Sequence, residues 1–203
     1  MSSFIHYSLG SFLPSTSKLE QLFDHRTLPA LHLPDGAAIA VTLRPLCAAD
    51  LPTWFDYLRL DEIRQRTSWN VTSPADLQQF IHRPDWSHPS AQIKFAIANK
   101  HDDQLIGTIG FHTISEPNRS VEIAYDLNPA FWGKGIATVA CSALTQWAHQ
   151  HGQFQRVQAT VLDNNINSRR VLEKCGFHLE GHLRKYRIVR GESRDYWIFS
   201  HVI

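Results

Sequence analysis

The 203-residue chain is 43% hydrophobic and 19% charged, enough apolar material for one sizeable core and too little length for two. Its 20 Lys and Arg against 19 Asp and Glu leave a formal charge of +1, so no large field directs it to DNA or to an anionic membrane. No run approaches about 18 apolar residues, no secretion signal opens the chain, and Cys47, Cys141 and Cys175 are widely spaced without a C-x-x-C, so a cytoplasmic protein with reduced thiols is expected.

Residues 1–36 are polar and punctuated by Pro14, Pro29 and Pro34, with one short helix expected around Ser17 to Phe23; they read as an N-terminal extension. From Ala37 the pattern changes. AAIAVTLRPL has the content of a β-strand, and Ala48-Ala49-Asp50 opens a helix carrying Leu51, Trp54, Phe55 and Leu58. A second helical stretch is expected over Asp61 to Thr67. A third runs from Pro74 to Ile81, with Ser73 as its N-cap and Leu77, Phe80 and Ile81 as its buried side. Three strands follow, Gln92 to Ala98, Gln104 to Thr113 and Val121 to Leu127, separated by turns at His101-Asp102-Asp103 and Glu116-Pro117-Asn118.

Beyond the third strand, Phe131 to Gly135 form a glycine-bearing turn that feeds a helix. Ile136, Val139, Ala140, Ala143, Leu144, Trp147 and Ala148 keep the spacing of one buried helical face. Gly133 and Gly135 leave bare backbone N–H groups at the positive end of that helix, which suits a phosphate or pyrophosphate. The turn lacks the glycine and the Ser or Thr of a Walker loop, and it lacks the third glycine of a dinucleotide fingerprint. Arg156 to Leu162 then reads as a strand, the block from Asn165 as a helix stopped by Gly176 as its C′ residue, and the tail as a hairpin turning near Arg190-Gly191-Glu192.

Two blocks carry a resemblance. Trp132-Gly133-Lys134-Gly135-Ile136-Ala137 resembles the pyrophosphate loop of GNAT acyl-CoA-dependent N-acyltransferases, with Trp132 where Arg or Gln is usual, as is ordinary in the RimJ/RimL-like branch. NINSRRVLEKCGF, Asn165 to Phe177, resembles the N-x-x-S-x-R-x-L-E-K-x-G-F signature of the same branch. The resemblance covers residues 37–203 and implies an α/β (α+β) GNAT fold. That fold has a central mixed, mostly antiparallel twisted sheet of about seven strands flanked by helices, splayed between the strands near 121–127 and 156–162. It implies acetyl-CoA as cosubstrate, held by Trp132, Gly133, Lys134, Gly135, Ile136 and Ala137 at the pyrophosphate, by backbone groups of Tyr125 to Leu127 and by Asn165 along the pantetheine arm. It also implies a lid between the first strand and Ile81 that shapes the acceptor pocket.

The chemistry requires a neutral amine, and an α-amine with a pKa near about 8 reaches that state more easily than a Lys side chain near about 10.4. A carboxylate, acting directly or through water, can take its proton while a backbone N–H steadies the oxyanion. Glu122 is the candidate base, because strand alternation places it opposite Val121 and Ile123; a structural salt bridge is its competing reading. Asp126 shares that face and ranks second, and Glu62 and Glu116 read as solvated acids of the lid and a turn. By resemblance Ser168 hydrogen-bonds the departing sulfur, although Asn165 as N-cap and Ser168 at N3 would also steady their helix without any catalytic role.

Twelve histidines include His149 and His151, which are two apart on a helix and so face different ways, and no metal site is expected. Trp54 and Trp147 read as core and Trp197 as part of an alternating strand, whereas Trp69 is expected exposed in the lid, lining an acceptor pocket. Arg184, Lys185, Arg187, Arg190 and Arg194 read as a solvated face, or as a grip on an acidic or phosphorylated acceptor or on ribosomal RNA. The activity implied is acetyl transfer to a primary amine, first the N-terminal α-amine of a protein or peptide, a ribosomal protein among them. A small-molecule amine is the alternative, with a closed pocket and an acid for a second charge. A non-catalytic acyl-CoA-binding module and a nucleotide-binding α/β protein are the readings from other classes. Monomer and homodimer are both compatible with the sequence.

Overall fold

The computed structural model describes residues 23–82, 84 and 91–203. Seven strands form one sheet: β1 (Val41–Pro45), β2 (Ile93–Asn99), β3 (Leu105–Ser115), β4 (Ser120–Leu127), β5 (Arg156–Leu162), β6 (His178–Val189) and β7 (Glu192–Val202). Their spatial order is β1-β2-β3-β4-β5-β7-β6, and every neighbouring pair is antiparallel except β4 with β5. Strands that run the same way need a crossover, and helix α3 (Ile136–Gln150), numbered after α1 (Leu51–Leu58) and α2 (Asp61–Arg64), supplies it. Helix α4 (Ile166–Lys174) joins β5 to β6. The mixed, mostly antiparallel sheet expected from the sequence is the sheet observed.

Strand alternation gives the sheet two unlike faces. Val121 and Ile123 of β4 join Phe95, Ile97, Ile109 and Phe111 in a core that packs on Ile136, Ala140, Leu144 and Trp147 of α3. Each such side chain fully withdrawn from water contributes about 1.5–3 kcal/mol, so this face anchors α3 and fixes where its N-terminus points. Phe23 and Leu31 belong to the same core, and Trp147 Nε1 donates to the Thr27 carbonyl at 2.7 Å, so the described part of the N-terminal segment is packed onto the sheet. The helix expected around Ser17 to Phe23 lies, but for Phe23, outside the described residues.

The other face presents Lys94, Thr108, His112, Glu122, Asp126 and Thr160 at the alternate positions. Only part of it is covered. Trp54, Tyr57 and Leu58 of α1 and Leu77 of the 3₁₀ helix Pro74–Phe80 form a second core with Ala96 and Leu105 near the β1–β3 edge. The remainder of the polar face is the floor of a cavity.

Several local elements depart from the sequence reading. The first strand begins at Val41 rather than Ala37, because Ala37 closes a turn by donating to the Pro34 carbonyl at 3.1 Å. The stretch Asp61 to Thr67 is helical only through Arg64. Carbonyls beyond that point bond elsewhere: Arg190 donates to the carbonyls of Arg64, Thr67 (3.2 Å) and Trp69 (2.8 Å), holding the loop open against the β6–β7 hairpin. Pro74–Phe80 is 3₁₀ rather than α, with Ser73 at its N-cap and the Asp76 carboxylate accepting from Thr72 N and Ser73 N. The α4 terminus follows expectation: Gly176 sits at φ +80°, and the Gly176→Glu173 and Phe177→Leu172 bonds close a Schellman motif.

Candidate active site

The site grows from a break in the sheet. β4 and β5 pair only at Ser120 with Arg156, Val121 with Val157 and Glu122 with Gln158; from Ile123 onward the two strands diverge. The splay expected between the strands near 121–127 and 156–162 is therefore present, and it opens β4 toward α4. Tyr125 spans the gap, its hydroxyl donating to the Ser168 carbonyl at 3.2 Å.

On the helical side of the splay lies a cavity of about 440 Å³. Tyr125, Leu127, Trp132, Gly133, Gly135, Ile136, Ala137, Asn165 and Ser168, all singled out from sequence, line it. Gly133 and Gly135 adopt φ +75° and +78°, the left-handed region, and a Cβ built on either meets no atom within 4 Å. Glycine is needed there for the backbone conformation, and the space it leaves belongs to the cavity. No side chain caps α3, whose N-cap is Gly135 itself, so its first N–H groups face the cavity uncovered. Trp132 explains its own place: the indole donates to the Leu127 carbonyl at 2.8 Å and ties the loop to the end of β4, while the Arg66 guanidinium lies 5.5 Å above its ring.

Lys134 stands apart from the other loop residues. Its side chain does not line the cavity; the ammonium sits 5.1 Å from the centre of the Phe131 ring. The cations that do line it are Arg66, Arg170 and Lys174, which sequence reasoning missed. Arg170 and Lys174 are four apart on α4, a spacing that could have shown them to share one face.

A second cavity, of about 570 Å³, lies on the polar face. Arg66, Thr67, Tyr125, Asp126, Asn165 and Ser168 line both cavities, so the two meet across the splay. Its far wall is the lid segment Arg66 to Asn70 with Phe80, and its floor includes Lys94, His112 and Thr160. Trp69 lines it as expected but is half-buried rather than exposed, held edge-on to Trp54 at 5.7 Å and to Phe80 at 5.5 Å. The basic run is not a solvated stripe throughout: Arg187 lines the cavity 3.6 Å from Glu122, and Arg190 staples the lid.

The two acids of β4 occupy different surroundings. Asp126, 5% exposed, accepts from Trp54 Nε1 at 3.1 Å, Tyr57 Oη at 2.5 Å and Thr108 Oγ1 at 2.8 Å. These neutral donors bind α1 to β3 and β4, which makes Asp126 an architectural carboxylate; burial and Asp126 together hold the Tyr57 phenol well above its ordinary pKa. Glu122, 2% exposed, lies on the face opposite Val121 and Ile123 as alternation requires, and accepts from Thr160 Oγ1 at 2.5 Å and Gln158 Nε2 at 3.2 Å. It lines neither cavity, whereas His112 and Thr160, its neighbours, line the one on the polar face. His112 Nε2 lies 3.7 Å from Glu122 Oε1. Burial holds the His112 pKa below the ordinary histidine value; Glu122 opposes that shift, and Lys94 and Arg187 reinforce it.

Asn165 serves as the helix cap, its Oδ1 accepting from Ser168 N at 3.1 Å, while its Nδ2 donates one hydrogen to the Arg66 carbonyl at 2.8 Å. Cys175 sits just past α4 and donates to the Thr138 carbonyl at 3.3 Å. Among the described residues, no three His, Cys, Asp or Glu side chains are grouped to hold a metal, and no helix is long and apolar enough to cross a membrane.

Residues 40–178 match the family model of the acetyltransferase (GNAT) domain. The chain belongs to the GNAT family of acetyltransferases. It is 34% identical over 131 residues to the uncharacterized N-acetyltransferase p20 of Bacillus licheniformis, covering 64% of this chain and 72% of that protein. It is 28% identical over 143 residues to the ribosomal-protein-serine acetyltransferase of Escherichia coli K12, covering 70% of this chain and 79% of that one. Among solved structures it superposes on the microcin C7 self-immunity acetyltransferase MccE, solved in complex with acetyl-CoA and AMP. There the TM-score is 0.70 and the identity 27%, with 80% of this chain and 92% of that one covered. As a GNAT acetyltransferase the chain is an acetyl-CoA-dependent N-acetyltransferase with acetyl-CoA as its cosubstrate.

Proposed function

We propose that the chain moves the acetyl group of acetyl-CoA to the N-terminal α-amine of a protein or peptide, with the cosubstrate in the cavity at α3 and the amine in the cavity on the polar face. One observation carries the reading: the two cavities share Tyr125, Asp126, Asn165 and Ser168, so groups entering from opposite sides of the sheet meet at the splay. The residues fit a coenzyme A diphosphate, since left-handed glycines, uncapped helix N–H groups and the cations Arg170 and Lys174 converge on one cavity. Trp132, Gly133, Lys134 (through its backbone), Gly135, Ile136 and Ala137 form this cradle, and backbone groups at Tyr125 to Leu127 with Asn165 bound the arm that reaches the splay. Acetyl-CoA supplies the acetyl group activated as a thioester.

The chain's own task is then to accept the proton of the amine and to steady the departing thiolate by a hydrogen bond. His112 lies in the acceptor cavity and its depressed pKa keeps the ring neutral, able to take a proton from the amine nitrogen. Glu122, fixed by Thr160 and Gln158, faces the imidazolium that results and favours it, so the carboxylate acts through His112 rather than by direct contact. The Ser168 hydroxyl, at the junction of the cavities, donates to the departing sulfur. Kinship with a ribosomal-protein-serine acetyltransferase supports the peptide acceptor. The relative solved with AMP binds a small molecule, which favours a small amine as the second reading. The test is thiol release from acetyl-CoA with short free-N-terminus peptides and with small amines, and product identification by mass spectrometry. Acetylated peptide α-amines support the first reading, and acetylated small amines alone select the second.

A further inference from the structure

The acceptor cavity is walled by positive charge that its acids do not neutralise. Lys94, the second residue of β2, projects onto the polar face, where its ammonium lies 5.2 Å from the centre of the Trp69 ring and 5.9 Å from that of Phe80. Among the described residues, no carboxylate comes within ion-pair distance of it, whereas Arg44, Arg156, Arg169, Arg187 and Arg194 each have one. Burial lowers the Lys94 pKa and the nearby Asp126 charge partly restores it. Arg66 and Arg187 line the same cavity, as does the neutral ring of His112.

Among the described residues two acids stand against these, both already engaged. Asp126 accepts from Trp54, Tyr57 and Thr108, and Glu122 lies beneath the floor with Thr160 and Gln158 bonded to it. A polyamine entering here would place its second ammonium against Lys94 and find, among the described residues, no unengaged carboxylate. A desolvated ammonium without a counter-ion is costly, and a ligand that brings the counter-ion relieves that cost on binding.

We propose that the acceptor carries an anionic group besides its amine, a carboxylate or phosphate oxyanion that pairs with Lys94 between the Trp69 and Phe80 rings. This rests on the acetyltransferase reading of the same site and narrows its substrate class. On a peptide acceptor the group is an acidic side chain within the first few residues; on a small acceptor it is the molecule's own carboxylate or phosphate. Lys94 is in this account a specificity determinant with no part in proton transfer.

The experiment compares kcat/KM for C-terminally amidated peptides that differ only in Asp, Asn or Lys at the second and third positions, alongside amino acids, phosphorylated amino alcohols and spermidine. The wild-type chain is expected to prefer the acidic peptides by about tenfold or more over the neutral ones, through KM, and to disfavour the lysine peptides further. Lys94→Gln should bring that ratio to within about threefold, and Lys94→Arg should restore it, with the KM for acetyl-CoA and the melting temperature held in both variants. Equal rates for all peptides would overturn the anion proposal and leave the acetyltransferase reading standing. A preference that survives in folded Lys94→Gln would also overturn it, because another group would then read the charge. Acetylation of the anionic small amines alone would uphold the proposal while removing the peptide acceptor. A shift in the pH dependence of kcat for every acceptor in Lys94→Gln, without a change in ranking, would show that Lys94 tunes the amine and would likewise sink it.

Discussion

Substituting Gly135 separates the two things this glycine does. Its φ of +78° costs an L-residue about 1–2 kcal/mol, and a Cβ there meets nothing within 4 Å. Gly135→Ala should therefore lower stability by about that amount, a melting shift of about 2–8 °C at this chain length, and leave acetyl-CoA affinity within about threefold. Gly135→Glu carries the same backbone cost and adds a carboxylate in the cavity at the α3 N-terminus. Two unit charges about 5 Å apart at an effective dielectric of about 20 repel by about 3 kcal/mol, roughly a hundredfold in dissociation constant. Calorimetric titration with acetyl-CoA, paired with thermal unfolding of each variant, reads both effects. A folded Gly135→Glu protein that binds acetyl-CoA as tightly as the parent would refute the assignment of this turn as the pyrophosphate cradle.

Other substitutions and one pH series test the remaining parts. Glu122→Gln should leave acetyl-CoA binding intact and lower kcat by about ten- to a hundredfold, and His112→Gln should do the same; full activity in either variant with a good acceptor removes that residue from the proton route. Asp126→Asn keeps the shape but offers one acceptor oxygen to three donors, so unfolding should require about 2–4 kcal/mol less, and an unchanged midpoint in urea would contradict the architectural role given to this acid. Burial, aided by His149 and His178, depresses the His201 pKa below its ordinary value of 6.5. The unfolded chain thus binds the proton first as pH falls through about 6.5, so stability present above that pH is lost below it, and His112 acts in the same direction. Melting temperatures from pH 7.5 down to 5.5 should fall, and His201→Gln should flatten the decline; a steeper decline in that variant would reverse the sign argued here.

Much of this site was legible because local rules and global fold agree there. The buried periodicity of Ile136 to Ala148, the glycines before it and the Asn165 to Gly176 block point to a helix, a glycine turn that feeds it and a capped second helix, and the structure puts all three around one cavity. Alternation likewise placed Glu122 opposite Val121 and Ile123. Sequence ranked Glu122 above Asp126, two acids on the same face of one strand, but held no sign of the contacts that separate them. Their roles part because α1, some 70 residues earlier, brings Trp54 and Tyr57 onto Asp126. The lid was misjudged for a similar reason: Arg190, from the distant hairpin, takes the carbonyls of Arg64, Thr67 and Trp69 and halts the helix expected through Thr67. Lys94 did carry a signal, a lone lysine inside the run Ile93 to Ala98, though its neighbours Trp69 and Phe80 come from the lid and no spacing rule predicts their meeting.

The most direct test of the central claim incubates the purified chain with acetyl-CoA and a peptide library presented with free and with blocked N-termini, and locates any acetyl group by fragmentation mass spectrometry. The account predicts thiol release that depends on the free terminus, with the acetyl group on the α-nitrogen. Acetyl groups found only on lysine side chains, or equal thiol release with blocked termini, would contradict the α-amine acceptor proposed here.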